Sequence, residues 1–186
     1  MLQPDEVLFG YSIGIFPMAQ PDENNALYWY EPQMRGILPL DELKISRSLR
    51  QTLRSGKFTV SMNTAFEEVM RQCAARTDTW ISEEIIDVFV RLNEMGHAHS
   101  FETRNKEGHL VGGLYGVFMG GAFFGESMFY TQTDASKVAL VELVQWMKRE
   151  GMQLLDMQYL TPHLESLGGI EIPREEYKRR LREALL

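Results

Sequence analysis

Two short stretches put polar groups where an apolar interior is expected. In Phe123-Phe124-Gly125-Glu126-Ser127-Met128-Phe129, one acid sits inside an apolar strand. By alternation Phe124, Glu126 and Met128 share one face, and Phe123, Gly125, Ser127 and Phe129 the other. A carboxylate at the floor of an apolar pocket is costly unless paired. Glu126 could bind a ligand's ammonium group or a hydroxyl pair, or it could make a structural salt bridge. Leu154-Leu155-Asp156-Met157-Gln158 presents a similar case. Asp156 and Gln158 face the same way on a strand and are unusual tenants of a buried one. An acid beside an amide could orient an amine nucleophile and polarise a carbonyl, or form a satisfied polar network.

Other patterns exclude chemistry. His97 and His99 would share a strand face, but a metal site needs a third ligand, and no HExxH or cysteine partner stands near. They read as turn and strand residues with ordinary hydrogen bonds. Met128 and Phe129 follow Ser127 where a nucleophile elbow requires a second glycine. The run GGLYGVFMGG has no Lys-Ser/Thr for a phosphate loop and no GxGxxG leading into a helix.

The elements that must position these residues follow from turn and cap signals. A short helix is expected near residues 5–14, then a folded loop rich in aromatics to about residue 33. Residues 41–54 read as a helix, and 57–62 as a strand. Asn63 or Thr64 caps the next helix, with Thr64 and Glu67 as a capping box. Ser82 caps another, closed by Gly96. Residues 98–104, 110–118 and 122–129 form an antiparallel meander. Asp134 caps a long helix ending at Gly151, a strand follows at 154–159, and Pro173 opens a last helix. That order is α+β: one sheet with helices on its faces.

The 186 residues, with a net charge of -7, 44% hydrophobic and 24% charged residues, suit an ordinary globular protein. The longest uncharged stretch, 110–125, is too short and too glycine-rich for a membrane span. The N-terminus has early acids and no basic region, so it does not read as a secretory signal. Cys73 is the sole cysteine, which excludes a disulfide framework. A cytoplasmic protein is expected. Between residues 43 and 66 there is no acid, while Lys44, Arg47, Arg50, Arg54 and Lys57 supply five positive charges. The three arginines stack on one helix face, which suits a phosphate backbone or a solvated surface.

With these residues in view, the chain resembles the leucyl/phenylalanyl-tRNA–protein transferases along nearly its whole length. The resemblance runs through GIFPM (14–18), SRSLR (46–50), MNTAFEEV (62–69), TWI (79–81), MGHAHSFE (95–102), LVGGLYGV (110–117), FFGESMF (123–129), DASKVAL (134–140), LLDMQ (154–158) and HLESLGG (163–169). It implies a small N-terminal domain over 1–33 and an acetyltransferase-like (GNAT) domain over 34–186. It also implies transfer of Leu or Phe, and sometimes Met, from aminoacyl-tRNA to the N-terminal Arg or Lys of a protein, creating a degradation signal. Neither metal nor coenzyme is implied, and a monomer away from membranes is expected.

Family roles fall on particular positions. The catalytic Asp and Gln match Asp156 and Gln158. The pocket for the aminoacyl side chain matches Leu114, Phe123, Glu126 and Met128. The adenine-stacking tryptophan matches Trp80, and the tRNA-contacting segment matches Lys44 to Lys57. Many members carry Trp where this chain has Met18; a thioether contacts adenine but stacks less well. The rival readings are a small-molecule N-acyltransferase of the acetyltransferase superfamily and a non-catalytic tRNA-binding module. Against the first, no Q/R-x-x-G-x-G/A loop precedes the Asp134 helix.

Overall fold

The computed structural model describes residues 1–186. Helix α1 (Pro4–Ser12) opens on a proline and carries Asp5 and Glu6 in its first turn, where the helix dipole favours acids. The segment read as a folded loop is instead a two-stranded antiparallel ribbon, β1 (Phe16–Gln20) and β2 (Ala26–Tyr30). The turn formers at 21–25 make its hairpin, with Asn24 and Asn25 both left-handed. The aromatics after them are strand residues. A further strand, β3 (Met34–Ile37), was not expected.

Helix α2 (Arg47–Ser55) starts six residues later than its expected bound at Asp41. Ser46 caps it, its hydroxyl accepting the Leu49 amide at 3.1 Å, while Leu40–Glu42 form only a 3₁₀ turn. Strand β4 (Thr59–Met62) leads into α3 (Phe66–Ala74). There the expected capping box is absent. Ala65 occupies the cap position, and its amide donates to Glu102 at 3.2 Å, as does the Thr64 hydroxyl at 3.1 Å. A buried acid from another strand thus replaces the local cap, a choice no local pattern reveals.

Helix α4 (Glu83–Glu94) is capped by Ser82, as expected. The meander of β5 (Ala98–Arg104), β6 (Leu110–Met119) and β7 (Ala122–Tyr130) also matches the sequence reading. Then come α5 (Ala135–Arg149), β8 (Leu154–Gln158), the short α6 (Pro162–Ser166), β9 (Ile170–Pro173) and α7 (Arg174–Leu185). Asp134 precedes α5 in a left-handed conformation, its side chain paired with Lys137 and Thr52 rather than with the helix amides.

Seven strands form one sheet in the order β4-β5-β6-β7-β8-β3-β9. Every neighbouring pair is antiparallel except β7 and β8. One face carries the larger core, with Val7 and Tyr11 of α1, Val69 of α3, Phe89 of α4 and Tyr177 of α7. The other face carries Leu140, Leu143 and Val144 of α5, and α2 leans on α5 through Leu49, Val138 and Val141. Residues 1–33 share the larger core, since Tyr11 and Phe16 are wholly buried in it. A side chain at Gly112 would meet the Ala135 Cβ at 2.6 Å, so this glycine lets the start of α5 lie on β6.

Two local irregularities interrupt the sheet. The parallel pairing of β7 and β8 covers only Ala122–Leu154, Phe123–Leu155 and Phe124–Asp156. Beyond it the strands part. In the ladder with β6, Tyr115 faces Ser127 but Gly116 faces Gly125, so Glu126 is the extra residue of a β-bulge. The bulge flips the side-chain parity. Phe123 and Met128 therefore share the α5 face with Leu114, and Phe124 and Phe129 share the opposite one. The alternation expected from sequence, with Met128 beside Phe124, is overturned by that single inserted residue.

Candidate active site

A cleft of about 640 Å³ opens where β7 and β8 part. Leu114, Met128, Leu140, Leu143 and Met157 give it an apolar wall, and Arg76, Ser127, Thr161 and His163 also line it. Glu126 is its sole carboxyl-bearing lining residue. The bulge aims that side chain away from the sheet ladder, and it is almost completely buried.

Behind Glu126 runs a continuous polar network. The Tyr11 hydroxyl donates to Glu126 Oε1, and Gln158 Nε2 donates to Oε2 at 3.2 Å. The Gln158 backbone amide donates to Asp156 Oδ1 at 2.8 Å. Arg35 grips Asp156 with two parallel bonds, Nε to Oδ1 at 3.0 Å and Nη2 to Oδ2 at 2.7 Å. The Tyr177 hydroxyl adds a fourth donor at 2.9 Å. Arg35 also donates to the Gly14 carbonyl at 2.7 Å, and its guanidinium lies over the Phe16 and Tyr177 rings at 4.7 and 4.2 Å. Such bidentate pairs are the strong class of charged hydrogen bond.

The burial sets the electrostatics. Desolvation pushes the Glu126 carboxyl from its ordinary 4.5 up to about 8, despite the bonds from Tyr11 and Gln158 that favour its charged form. Burial, then the Glu126 charge, holds the Tyr11 phenol well above its ordinary value. Burial opposes the Arg35 cation, but Asp156 more than offsets it and the group titrates above its ordinary range.

The expected site residues fall into four places. Leu114, Glu126 and Met128 line the cleft, while Phe123 is buried behind its apolar wall. Asp156 and Gln158 stand together, but beneath Glu126 rather than on the cleft surface. Asp156 is fully enclosed and its two oxygens already accept four hydrogen bonds. Gln158 holds a left-handed backbone, φ 60°, which costs a non-glycine residue about 1–2 kcal/mol. The Asp156 bond to its amide stabilises that turn. Met18 and Trp80 adjoin each other, since the Ala19 amide donates to the Trp80 carbonyl at 3.2 Å, yet neither lines the cleft. Lys44, Arg47, Arg50, Arg54 and Lys57 are all exposed, and none forms an ion pair. They sit on and around α2, which packs on α5; the Ser136 side of that helix faces the cleft.

Sequence reasoning missed Tyr11, Arg35 and Tyr177. Arg35 carried a readable signal, a cation inside the apolar run Met34-Arg35-Gly36-Ile37-Leu38. Its partner was the equally anomalous Asp156. The two tyrosines carried none. His99 takes a structural part, packed on Phe118 and Trp146 and bonded to Asn63 at 2.9 Å.

A mixed, mostly antiparallel sheet whose parallel strands part over a cleft defines an acetyltransferase-like (GNAT) fold. FemX superposes with a TM-score of 0.52 at 12% identity, over 81% of this chain and 64% of its own. A GCN5-related glucosamine N-acetyltransferase region of a fungal multi-domain β-N-acetylglucosaminidase superposes with a TM-score of 0.50 at 9% identity, over 75% of this chain and 20% of its own. Within that class, residues 37–182 match the model for leucyl/phenylalanyl-tRNA protein transferase, and residues 1–33 match the model for its N-terminal domain. A leucyl/phenylalanyl-tRNA–protein transferase of Chlorobaculum parvum is 51% identical, over 100% of this chain and 96% of its own. One from Paramagnetospirillum magneticum is 52% identical, over 99% and 90%. The chain belongs to the leucyl/phenylalanyl-tRNA–protein transferase family.

Proposed function

We propose that this protein transfers Leu or Phe, and sometimes Met, from aminoacyl-tRNA to the N-terminal Arg or Lys of a protein. The product carries a new N-terminus that marks it for degradation in the cytoplasm. The observation that carries this reading is the cleft between β7 and β8, apolar along one wall and ending on Glu126, with Gln158 bonded directly behind it. An aminoacyl ester is already activated, so proximity and modest proton handling suffice, and no cofactor beyond the tRNA is required.

In this reading the Leu or Phe side chain occupies the space beside Leu114, Met128, Leu140 and Leu143. Its shape disfavours β-branched and polar residues. Glu126 faces the donor's α-ammonium. Gln158 Oε1, which has no hydrogen bond within the protein, accepts from the incoming α-amine. The amine nitrogen attacks the ester carbonyl, the C–N bond forms, the bond to the ribose oxygen breaks, and that oxygen takes the displaced proton. Asp156 does not act as the base: its acceptor positions are filled, and its part is to hold the Gln158 turn. Trp80 and Met18 contact the terminal adenosine, and the α2 cations track the acceptor stem. The chain works as a monomer.

Incubation with tRNA charged with Phe or Leu and a peptide beginning with Arg tests the reading. The expected result is a peptide heavier by one Phe or Leu residue. Tight coenzyme A binding with no such transfer would point to a small-molecule acyltransferase instead, and tRNA binding alone to a non-catalytic module.

A further inference from the structure

Tyr115 is the buried polar side chain that this network leaves unexplained. It is wholly enclosed, and its hydroxyl has no hydrogen-bond partner in the protein. Tyr11 and Tyr177, buried to the same degree, donate to Glu126 and Asp156 respectively. A buried hydroxyl without a partner in the protein calls for a specific cause. Packing cannot supply it, because phenylalanine would fill the same space. The Tyr115 ring stands edge-on to Phe66 and Phe89, with centroids 5.8 and 5.9 Å apart, so the hydroxyl is held in one place.

That place adjoins the cleft, with the hydroxyl itself closed off from solvent. Tyr115 lines it together with Glu126 and faces Ser127 across the ladder, beside the bulge. Burial first, and then the Glu126 charge, keep the phenol protonated far above its ordinary range. The nearby cation, Arg76, bonds the Cys73 carbonyl, the Ser127 hydroxyl and the Met128 carbonyl through Nε and Nη2 at 3.0, 3.0 and 3.2 Å, and makes no bond to the Tyr115 hydroxyl. A missing partner between a carboxyl and a phenol oxygen suits a cationic donor with several N–H groups better than an anion.

We propose that the Tyr115 hydroxyl accepts a hydrogen bond from the α-ammonium of the aminoacyl group, beside Glu126, so that the enzyme recognises a free α-amine on its donor. This rests on the aminoacyl-transfer reading. The seat distinguishes an amino acid ester from an ester carrying a hydroxyl at the same carbon.

The test is Tyr115→Phe, assayed with tRNA charged with phenylalanine and with tRNA charged with phenyllactate, in which a hydroxyl replaces the α-ammonium. Wild type should prefer the amine. The variant should melt no lower than wild type and transfer Phe about 10–100-fold more slowly, the range for a hydrogen bond to a charged group. Its preference for phenylalanyl over phenyllactyl donor should shrink by a similar factor. Unchanged Phe transfer, an equal loss with both donors, a lowered melting temperature, or a wild type indifferent to the two donors would each overturn the assignment. A wild type that transfers neither donor to an Arg-peptide would instead sink the transferase reading itself.

Discussion

The floor of the cleft and the basic rim on α2 use charge in opposite ways. At the floor, Arg35 and Asp156 are almost wholly excluded from water and saturate one another with directed bonds. On the rim, five cations stand in solvent without ionic partners. A buried pair contributes geometry: removing one member strands the other charge in a low dielectric. An exposed cation contributes field, which salt screens and which is nearly indifferent to angle. Positional precision is thus concentrated at the floor, where the proposed transfer brings ester and amine together, and long-range attraction on the α2 rim, the proposed tRNA contact.

The largest expected effect comes from breaking the floor. Asp156→Asn or Arg35→Met should each lower stability by about 3–5 kcal/mol, the range for opening a buried ion pair. Either should slow transfer by about 10²-fold as Gln158 loses its support and is misplaced. The double variant should recover much of the melting temperature, since no charge is stranded, but not the rate. If the rate returned with the stability, the pair would be scaffold alone and the contrast with the rim would fail. Denaturant melts beside single-turnover assays decide this.

Next is the pH dependence that the floor imposes. The Glu126 carboxyl is raised by burial from 4.5 to about 8, so the native state holds this proton more tightly than the unfolded chain. Its contribution to stability is fully present below pH 4.5 and is lost as pH rises through about 8. Melting temperatures from pH 5 to 9 should therefore fall more steeply for wild type than for Glu126→Gln. Parallel curves would show that Glu126 is no longer isolated from solvent.

The rim should respond to salt instead. Replacing Arg50 and Arg54 by Ala should weaken tRNA binding and reduce the log–log salt slope by about one unit per lost phosphate contact. Stability should barely move, because both side chains are exposed and unpaired. A slope equal to wild type would remove α2 from the docking surface.

The two regions also differed in how far the sequence disclosed them. The rim is a local matter of spacing: an acid-free window with arginines three and four apart is visible in one line of residues. The strand order of the meander was equally local, fixed by turns at Lys106-Glu107-Gly108 and Gly120-Gly121. The floor was legible only in halves. Glu126, Asp156 and Gln158 stood out as polar residues in apolar strands, but their partners come from residues 11, 35 and 177. Those contacts depend on β3 slipping between β8 and β9, and no periodicity encodes that. The bulge at Glu126 was hidden for a similar reason. Alternation assumes an unbroken ladder, and an extra residue appears only once the partner strand is known.

The smallest effect concerns the apolar wall that joins the two regions. Leu114 and Met128 face each other across the ladder and line the cleft, but they differ in depth. Leu114 is a core residue, so Leu114→Ala should cost about 2–5 kcal/mol of stability as well as enlarging the pocket. Met128 is only half-buried and its flexible thioether fills an irregular gap, so its truncation should leave the fold almost intact. Met128→Ala is therefore the cleaner probe of donor selectivity. The freed volume should raise transfer of Trp relative to Leu, by no more than about 10–200-fold, since pocket discrimination is limited to a few kcal/mol. Competition between Leu-, Phe- and Trp-charged tRNA measures the shift directly, because all three compete for one site and the ratio of products is independent of how well the α2 rim holds the tRNA. An unchanged ratio in Met128→Ala with a changed ratio in Leu114→Ala would place the side chain deeper, against Phe123. A change in neither would move the acyl group out of this cleft.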